Sequence, residues 1–313
     1  MKLTLEQIRS ITVGAISVFE EDAKFHFRRF TDRQLEVWAQ VSDHIRGNSY
    51  GTAGCRLSFY TDSRYMILGA GNGGKYEIFI NELPAEAFQL TESRRLPISL
   101  GEGEKHVEIL LPNYAEGVLT GLVLDEGAYI RPYTYSRKFL FLGDSITQGS
   151  MSTRDSFCYV NRVTHFFDAQ CMNLGIGAST MTPDTLEDVG YDPDAVFIAY
   201  GTNDFNIRPS IEELEAQCKE YFDRVQKMYP NKKIFYISPL WRAEKDLLRP
   251  TGTLDQCRER LIYQCEAHGF IHIDGYTLVP HMPFYFKDGY LHPNDLGFSY
   301  YAENLIKFLV SHL

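Results

Sequence analysis

The sequence predicts an α/β protein in two parts, an antiparallel β-sandwich over residues 1–134 and a three-layer α/β/α domain over residues 135–313. Two changes of rhythm carry that reading. Between about residues 10 and 130, short apolar runs alternate every second residue and are broken by Gly, Asn and Asp. That is the pattern of antiparallel strands joined by turns. Beyond residue 135, strand-like apolar runs alternate with helical patterns, as expected for a parallel sheet covered by helices on both faces. The boundary falls at "IRPYTYSRK", where Pro132 breaks the last β run.

In the first part the clearest strands are "GCRLSFYTDS", "RYMILGAG", "KYEIFINEL", "KHVEILLPN" and "GVLTGLVLDEGAYI". Tyr76, Ile78 and Ile80 alternate with Glu77, Phe79 and Asn81, and Val107, Ile109 and Leu111 share a face. No helix is evident there except "RQLEVWAQV", which reads equally well as a strand. In the second part the strands are "KFLFLG", "AQCMNLGI", "DAVFIAYG", "KKIFYISPL" and "FIHIDG". Helices are expected near 156–167, over 210–229 and 253–268, and from about 295. Ile211, Leu214, Cys218, Tyr221, Val225 and Met228 form one helical stripe, with Ser210 placed to cap it.

Composition narrows the function classes. A net charge of −10 with no basic stripe argues against nucleic acid or an anionic membrane as the main partner. No apolar run approaches the ~18 residues of a membrane span, and the N-terminus lacks a signal-peptide core. The six cysteines are scattered without a CxxC pair, so the expected compartment is the reducing cytoplasm. Cys218, Cys257 and Cys265 fall in helical patterns and are expected in the core. No HExxH motif or Cys/His quartet is present, and no GK[ST] follows the turn Gly71–Gly74. No metal or cofactor is therefore expected.

The chemistry gathers at strand ends, where ligands bind in open parallel sheets. Gly143-Asp144-Ser145 follows "KFLFL", Asn173-Leu174-Gly175-Ile176-Gly177 follows "AQCM", and Gly201-Thr202-Asn203-Asp204 follows "DAVFIAY". "KDGYLHPND", with Asp288 and His292, precedes the last helix. Acyl transfer needs an activated nucleophile, an oriented base, and donors for the developing oxyanion. Ser145 suits the first role and His292 the second. The amides of Ser145 and Gly175 and the carboxamide of Asn203 suit the third. A serine after a strand is otherwise a common helix cap, and Asp144 and Asp204 read as acceptors that fix their loops.

The four stretches "GDSIT", "NLGIG", "GTND" and "HPN" resemble, in order, the blocks of the SGNH (GDSL) hydrolase superfamily. The first half, with "LSFYTDS" and "LPNYAE", is similar to SGNH proteins with an N-terminal β-sandwich, the jelly-roll-like layout of carbohydrate esterase family two. The resemblance implies a flavodoxin-like sheet, Ser145 as nucleophile, His292 as base, and Gly175 and Asn203 as oxyanion donors. It also implies a serine esterase of small acyl groups, O-acetyl groups on carbohydrate first among them.

One departure stands out. The family's last block is Asp-x-x-His, whereas Asp288 lies four residues before His292. Either Gly289 absorbs the extra residue and Asp288 completes a triad, or a backbone carbonyl orients His292 in a dyad. Trp241 and His281 are candidate substrate contacts, and "PFYF" a candidate pocket wall. Arg242 is expected in a surface salt bridge and His272 as a satisfied strand histidine. Two other readings remain open: a lysophospholipase- or thioesterase-type acylhydrolase, and a catalytically inert sugar-binding protein. The sandwich's role is open between sugar binding, walling the cleft, and dimerisation into a homo-oligomer.

Overall fold

The computed structural model describes all 313 residues. Ten strands precede residue 130: β1 (Thr12–Val13), β2 (Ser17–Glu21), β3 (Lys24–Arg28), β4 (Arg56–Thr61), β5 (Tyr65–Ala70), β6 (Gly74–Ile80), β7 (Leu83–Leu90), β8 (Arg94–Ser99), β9 (Lys105–Leu110) and β10 (Leu119–Leu124). They form two antiparallel sheets, ordered β1-β4-β9-β6-β7 and β2-β3-β10-β5-β8, and a short β11 (Arg131–Pro132) pairs with β4. Side chains from the two sheets meet in one core that includes Phe27, Leu57, Phe59, Leu68, Ile78, Ile109 and Leu122. Burying each such side chain contributes roughly 1.5–3 kcal/mol. The expected antiparallel sandwich is therefore present.

Three helices also lie in this half, contrary to the sequence reading: α1 (Leu5–Ile11), α2 (Asp32–Val41) and α3 (Asp43–Ser49). The ambiguous "RQLEVWAQV" is helical because a capping box starts it. Thr31 Oγ1 accepts from the Gln34 amide, and Gln34 Oε1 accepts from the Thr31 amide. Leu35 and Trp38 on α2 and Ile45 on α3 do not enter the sandwich core. They pack with Leu140, Leu142 and Leu174 of the second half, so the N-terminal segment supplies part of a helical layer there.

The second half is a five-stranded parallel sheet of β12 (Arg137–Gly143), β13 (Ala169–Asn173), β14 (Ala195–Ala199), β15 (Lys233–Ile237) and β16 (Ile271–Ile273). Its order, β13-β12-β14-β15-β16, is the flavodoxin-like one. Alternate residues face opposite layers. Leu140, Leu142, Val196 and Ile198 pack toward α7 (Ile211–Met228) and α8 (Leu254–Ala267). Phe139, Phe141, Phe197 and Phe235 pack toward α5 (Tyr159–Phe166) and α9 (Asp295–Val310). In that second layer Phe141 stacks on Phe197 at 4.8 Å and Phe197 on Phe235 at 5.1 Å, an aromatic row across three strands. Ser210 Oγ caps α7 by accepting from the Glu213 amide at 3.2 Å. All six cysteines are buried and unpaired.

The sandwich meets the edge strand β13 through glycine. A Cβ on Gly54 would lie 2.7 Å from the Asn173 Cβ, and one on Gly14 2.8 Å from the Cys171 carbonyl oxygen. Only hydrogen side chains permit that approach.

Candidate active site

Strand β12 lies between β13 and β14, so the loops after these strands open on either side of its C-terminal tip, the crevice where such sheets bind ligands. The helix that follows, α4 (Ser145–Gln148), is only one turn long. Its cap is Asp144, whose Oδ1 accepts from the Ile146 amide at 2.9 Å. The capping duty thus falls on the aspartate and leaves the Ser145 hydroxyl unengaged by the backbone. That hydroxyl, on a residue only 8% exposed, meets His292 Nε2 at 2.8 Å. The Ser145 amide occupies the first helical position, where an N–H has no partner within the helix.

His292 Nδ1 in turn meets Asp288 Oδ2 at 2.6 Å. The extra residue of the Asp-x-x-x-His spacing is taken up at Gly289, whose φ of +77° lies in the left-handed region that favours glycine. The resulting turn aims three amides, those of Tyr290, Leu291 and His292, at Asp288 Oδ1 over 2.8–3.1 Å. Burial opposes ionisation of this carboxyl. The Leu291 amide, the imidazole and the other amides outweigh burial and hold it below the usual carboxylate range. Of the two arrangements open in the sequence, the structure has the one with the aspartate on the imidazole. That aspartate is ionised at neutral pH.

The loop after β13 differs from expectation. The Gly175 amide is not free: it donates to Asn173 Oδ1 at 2.9 Å, so Gly175 cannot offer an N–H to a substrate in this conformation. The Leu174 and Ile176 amides bond the carbonyls of Phe141 and Gly143, and the Ser179 amide bonds Ile176. The Gly177 amide donates to Gln148 Oε1 at 2.6 Å. Over 174–179 the one amide left without an acceptor is that of Ala178, an exposed residue at φ +68°. This loop lies beside the serine. The Tyr114 hydroxyl donates to the Ser145 carbonyl at 3.2 Å and sits 3.3 Å from where a Cβ on Gly177 would be.

Asn203 stands in the first turn of α6 (Thr202–Ile207), and its Nδ2 donates to the Ser179 carbonyl at 2.8 Å. This joins the third loop to the second and leaves one further N–H on the carboxamide. Asp144 and Asp204 are buried beneath these loops. Burial, then the nearby charge of Asp204, pushes the Asp144 carboxyl up to about 7. Asp204 is also raised by burial, against the pull of Arg208, which it meets at 3.0 Å.

The structure pairs Trp241 and His281 with each other. The rings stack at 5.8 Å, Trp241 also packs on Phe286, and His281 Nε2 meets the Tyr276 carbonyl at 2.8 Å. They buttress the segment leading to His292, and no hydrogen bond joins either of them to Ser145 or His292. Arg242 does form a salt bridge, with the exposed Glu244 at 3.0 Å, but its own guanidinium is buried rather than at the surface: the residue is 1% exposed and also reaches Asn206 Oδ1 at 3.2 Å, bracing α6. His272 meets Ser238 Oγ at 3.0 Å. Arg29, Asn48, Tyr114, Gln148 and Ala178 went unnoticed in the sequence. No motif marks them, and the glycine that usually flags a left-handed residue is absent at 178.

No curated protein matches this sequence. Among solved structures, a salicylyl-acyltransferase from a tetracycline biosynthetic pathway is 20% identical with a TM-score of 0.82, over 96% of this chain and 94% of its own. A family two carbohydrate esterase from Cellvibrio japonicus is 16% identical with a TM-score of 0.70, over 99% and 97%. One from Clostridium thermocellum is 20% identical with a TM-score of 0.62, over 83% and 93%. At such identities these likenesses establish a shared fold, sandwich included. The model of the GDSL-like lipase/acylhydrolase family matches residues 141–299, a span that holds all three strand-end loops and the Asp288–His292 turn. With more than half its length so matched, the chain belongs to that acylhydrolase family.

Proposed function

We propose that this protein is a serine esterase that hydrolyses small acyl esters, O-acetyl groups on carbohydrate above all. The observation that carries the reading is the unbroken line of hydrogen bonds from Ser145 Oγ through His292 to Asp288. In this reading His292 Nε2 takes the proton as Ser145 Oγ attacks the ester carbonyl, and Asp288 stabilises the imidazolium that forms. The oxyanion is received by the amides of Ser145 and Ala178 and by the spare N–H of Asn203. His292 then protonates the departing alcohol, and water, activated by the same imidazole, releases the acid. Each oxyanion donor is worth about 2.7–4 kcal/mol in the transition state.

Two features support the substrate class. The groups beside Ser145 that are not fully buried are polar, the Tyr114 hydroxyl and the Asn48 carboxamide, which suits a hydroxyl-rich alcohol better than an acyl tail. The fold is shared with two family two carbohydrate esterases.

Initial rates on p-nitrophenyl esters from acetate to decanoate test the reading, with Ser145→Ala as control. The maximum is expected at acetate, and Ser145→Ala is expected to lower kcat by at least about 10⁴-fold. A maximum at medium or long chains would overturn the carbohydrate assignment in favour of lipid. Turnover that survives in folded Ser145→Ala would overturn the nucleophile.

A further inference from the structure

The loop that presents Ala178 is held largely from outside the parallel-sheet half. We infer that Arg29 and Asn48 are positioning residues for the oxyanion hole, so that the N-terminal half is a working part of the reaction centre; this rests on the esterase reading above. Arg29 follows β3 and is 1% exposed. Its Nη1 donates to the carbonyls of Asn173 at 2.7 Å and Gly175 at 2.9 Å, and its Nε donates to Gly51. Asn48, in α3, donates from Nδ2 to the Gly177 carbonyl at 3.2 Å. Its own carbonyl accepts from Gln148 Nε2 at 3.0 Å, and Gln148 Oε1 accepts the Gly177 amide. The carbonyls of 173, 175 and 177 thus each take a donor from residue 29 or 48, and Asn203 takes the fourth, at Ser179.

With alternate carbonyls pinned and every other amide of 174–179 occupied, the loop has one orientation available, and in it the Ala178 N–H is the group left over. A neutral side chain at position 29 could fill the same space. A guanidinium buried without a carboxylate partner is costly to desolvate, and burial lowers its pKa to about 10. What the guanidinium adds over a neutral filler is several N–H groups in a rigid fork, able to fix two carbonyls of one loop and a third from Gly51 at once. Donor placement matters because a shift of about 1 Å in a reacting group can lower the rate by about 10²-fold.

The test uses the full chain and p-nitrophenyl acetate, with kcat divided by the concentration of sites titrated by a fluorophosphonate. Titration removes unfolded molecules from the count, so a residue that only stabilises the fold leaves kcat per titrated site unchanged. Arg29→Met is expected to lower that quantity by about 10²-fold. Arg29→Lys, which keeps the charge but loses the fork, should lower it by roughly tenfold. Asn48→Ala is half-buried and neutral, so it should fold normally; a loss of about tenfold is expected with KM within threefold of wild type. If Arg29→Met does not fold, Asn48→Ala decides. Variants within twofold of wild type per titrated site would overturn the proposal while leaving the esterase reading intact. A wild-type protein that neither titrates nor turns over would remove the esterase reading, and this proposal with it.

Discussion

The two sides of Ser145 are built in opposite ways. On the side proposed to transfer the proton, Asp288 and His292 lie four residues apart, and one glycine-containing turn sets their geometry. On the side proposed to receive the oxyanion, the loop 173–179 is fixed by Arg29, Asn48, Gln148 and Asn203, drawn from both halves of the chain. A short local turn narrows to two arrangements within five letters. A loop held by partners more than a hundred residues away does not narrow in this way.

Substitutions on each side sharpen that contrast. Asp288→Asn should have the largest effect, about 10⁴-fold in kcat. The asparagine oxygen can still accept the three turn amides, but its NH₂ then faces His292 Nδ1 and selects the wrong tautomer. An unchanged kcat would return the site to a dyad. Asn203→Ala on the other side should cost about 10²–10³-fold in kcat with little change in KM. Equal losses in kcat and in substrate affinity would instead make Asn203 a substrate contact.

Beneath both sides lies Asp144, and its prediction concerns stability. The folded-state pKa is raised from 3.8 to about 7 by burial and by Asp204, so the folded state holds a proton that the unfolded chain releases sooner. The resulting stabilisation is complete in acid and lost as pH climbs through about 7. Asp144→Asn keeps an acceptor for the Ile146 amide but has no proton to lose. Denaturation midpoints measured from pH 4 to 8 should therefore fall less in the variant than in wild type. Parallel curves would show that Asp144 ionises normally.

The smallest effect belongs to Ala178. An alanine at φ +68° carries a steric cost of order 1 kcal/mol that glycine avoids. Ala178→Gly leaves the amide in place, so kcat should stay within twofold while Tm rises by about 2–4 °C at most. A fall in kcat would mean that the alanine side chain helps aim the N–H.

Much of the fold was legible because periodicity reports burial. The strands of the parallel sheet are apolar along their length, and each one expected is present within a few residues. The helix α2 reads equally well as a strand although Thr31-x-x-Gln34 announces a capping box, since its apolar face serves a core that forms about 100 residues later in the chain. Ser145, His292 and Asn203 are legible as blocks because their chemistry fixes residue type, whereas Asp288, one residue outside the family spacing, leaves triad and dyad both open in the sequence. Gly175 stands out in the sequence because glycine advertises backbone freedom, and nothing there marks Ala178, whose free amide is decided by which neighbours have already taken acceptors.

The glycine contact between the sandwich and β13 has a consequence for solubility. β13 is an end strand of its sheet, and unpaired ends of this kind recruit strands from other chains. Gly14 and Gly54 lie directly against it, with the Cys171 carbonyl and the Asn173 side chain covered. Severing residues 135–313 from the rest would strip away that cover along with α2 and α3, and bare Leu140, Leu142 and Leu174 to water. The liberated fragment is expected to be less soluble than the whole chain, because an edge strand and an apolar layer that the N-terminal half covers would both face water.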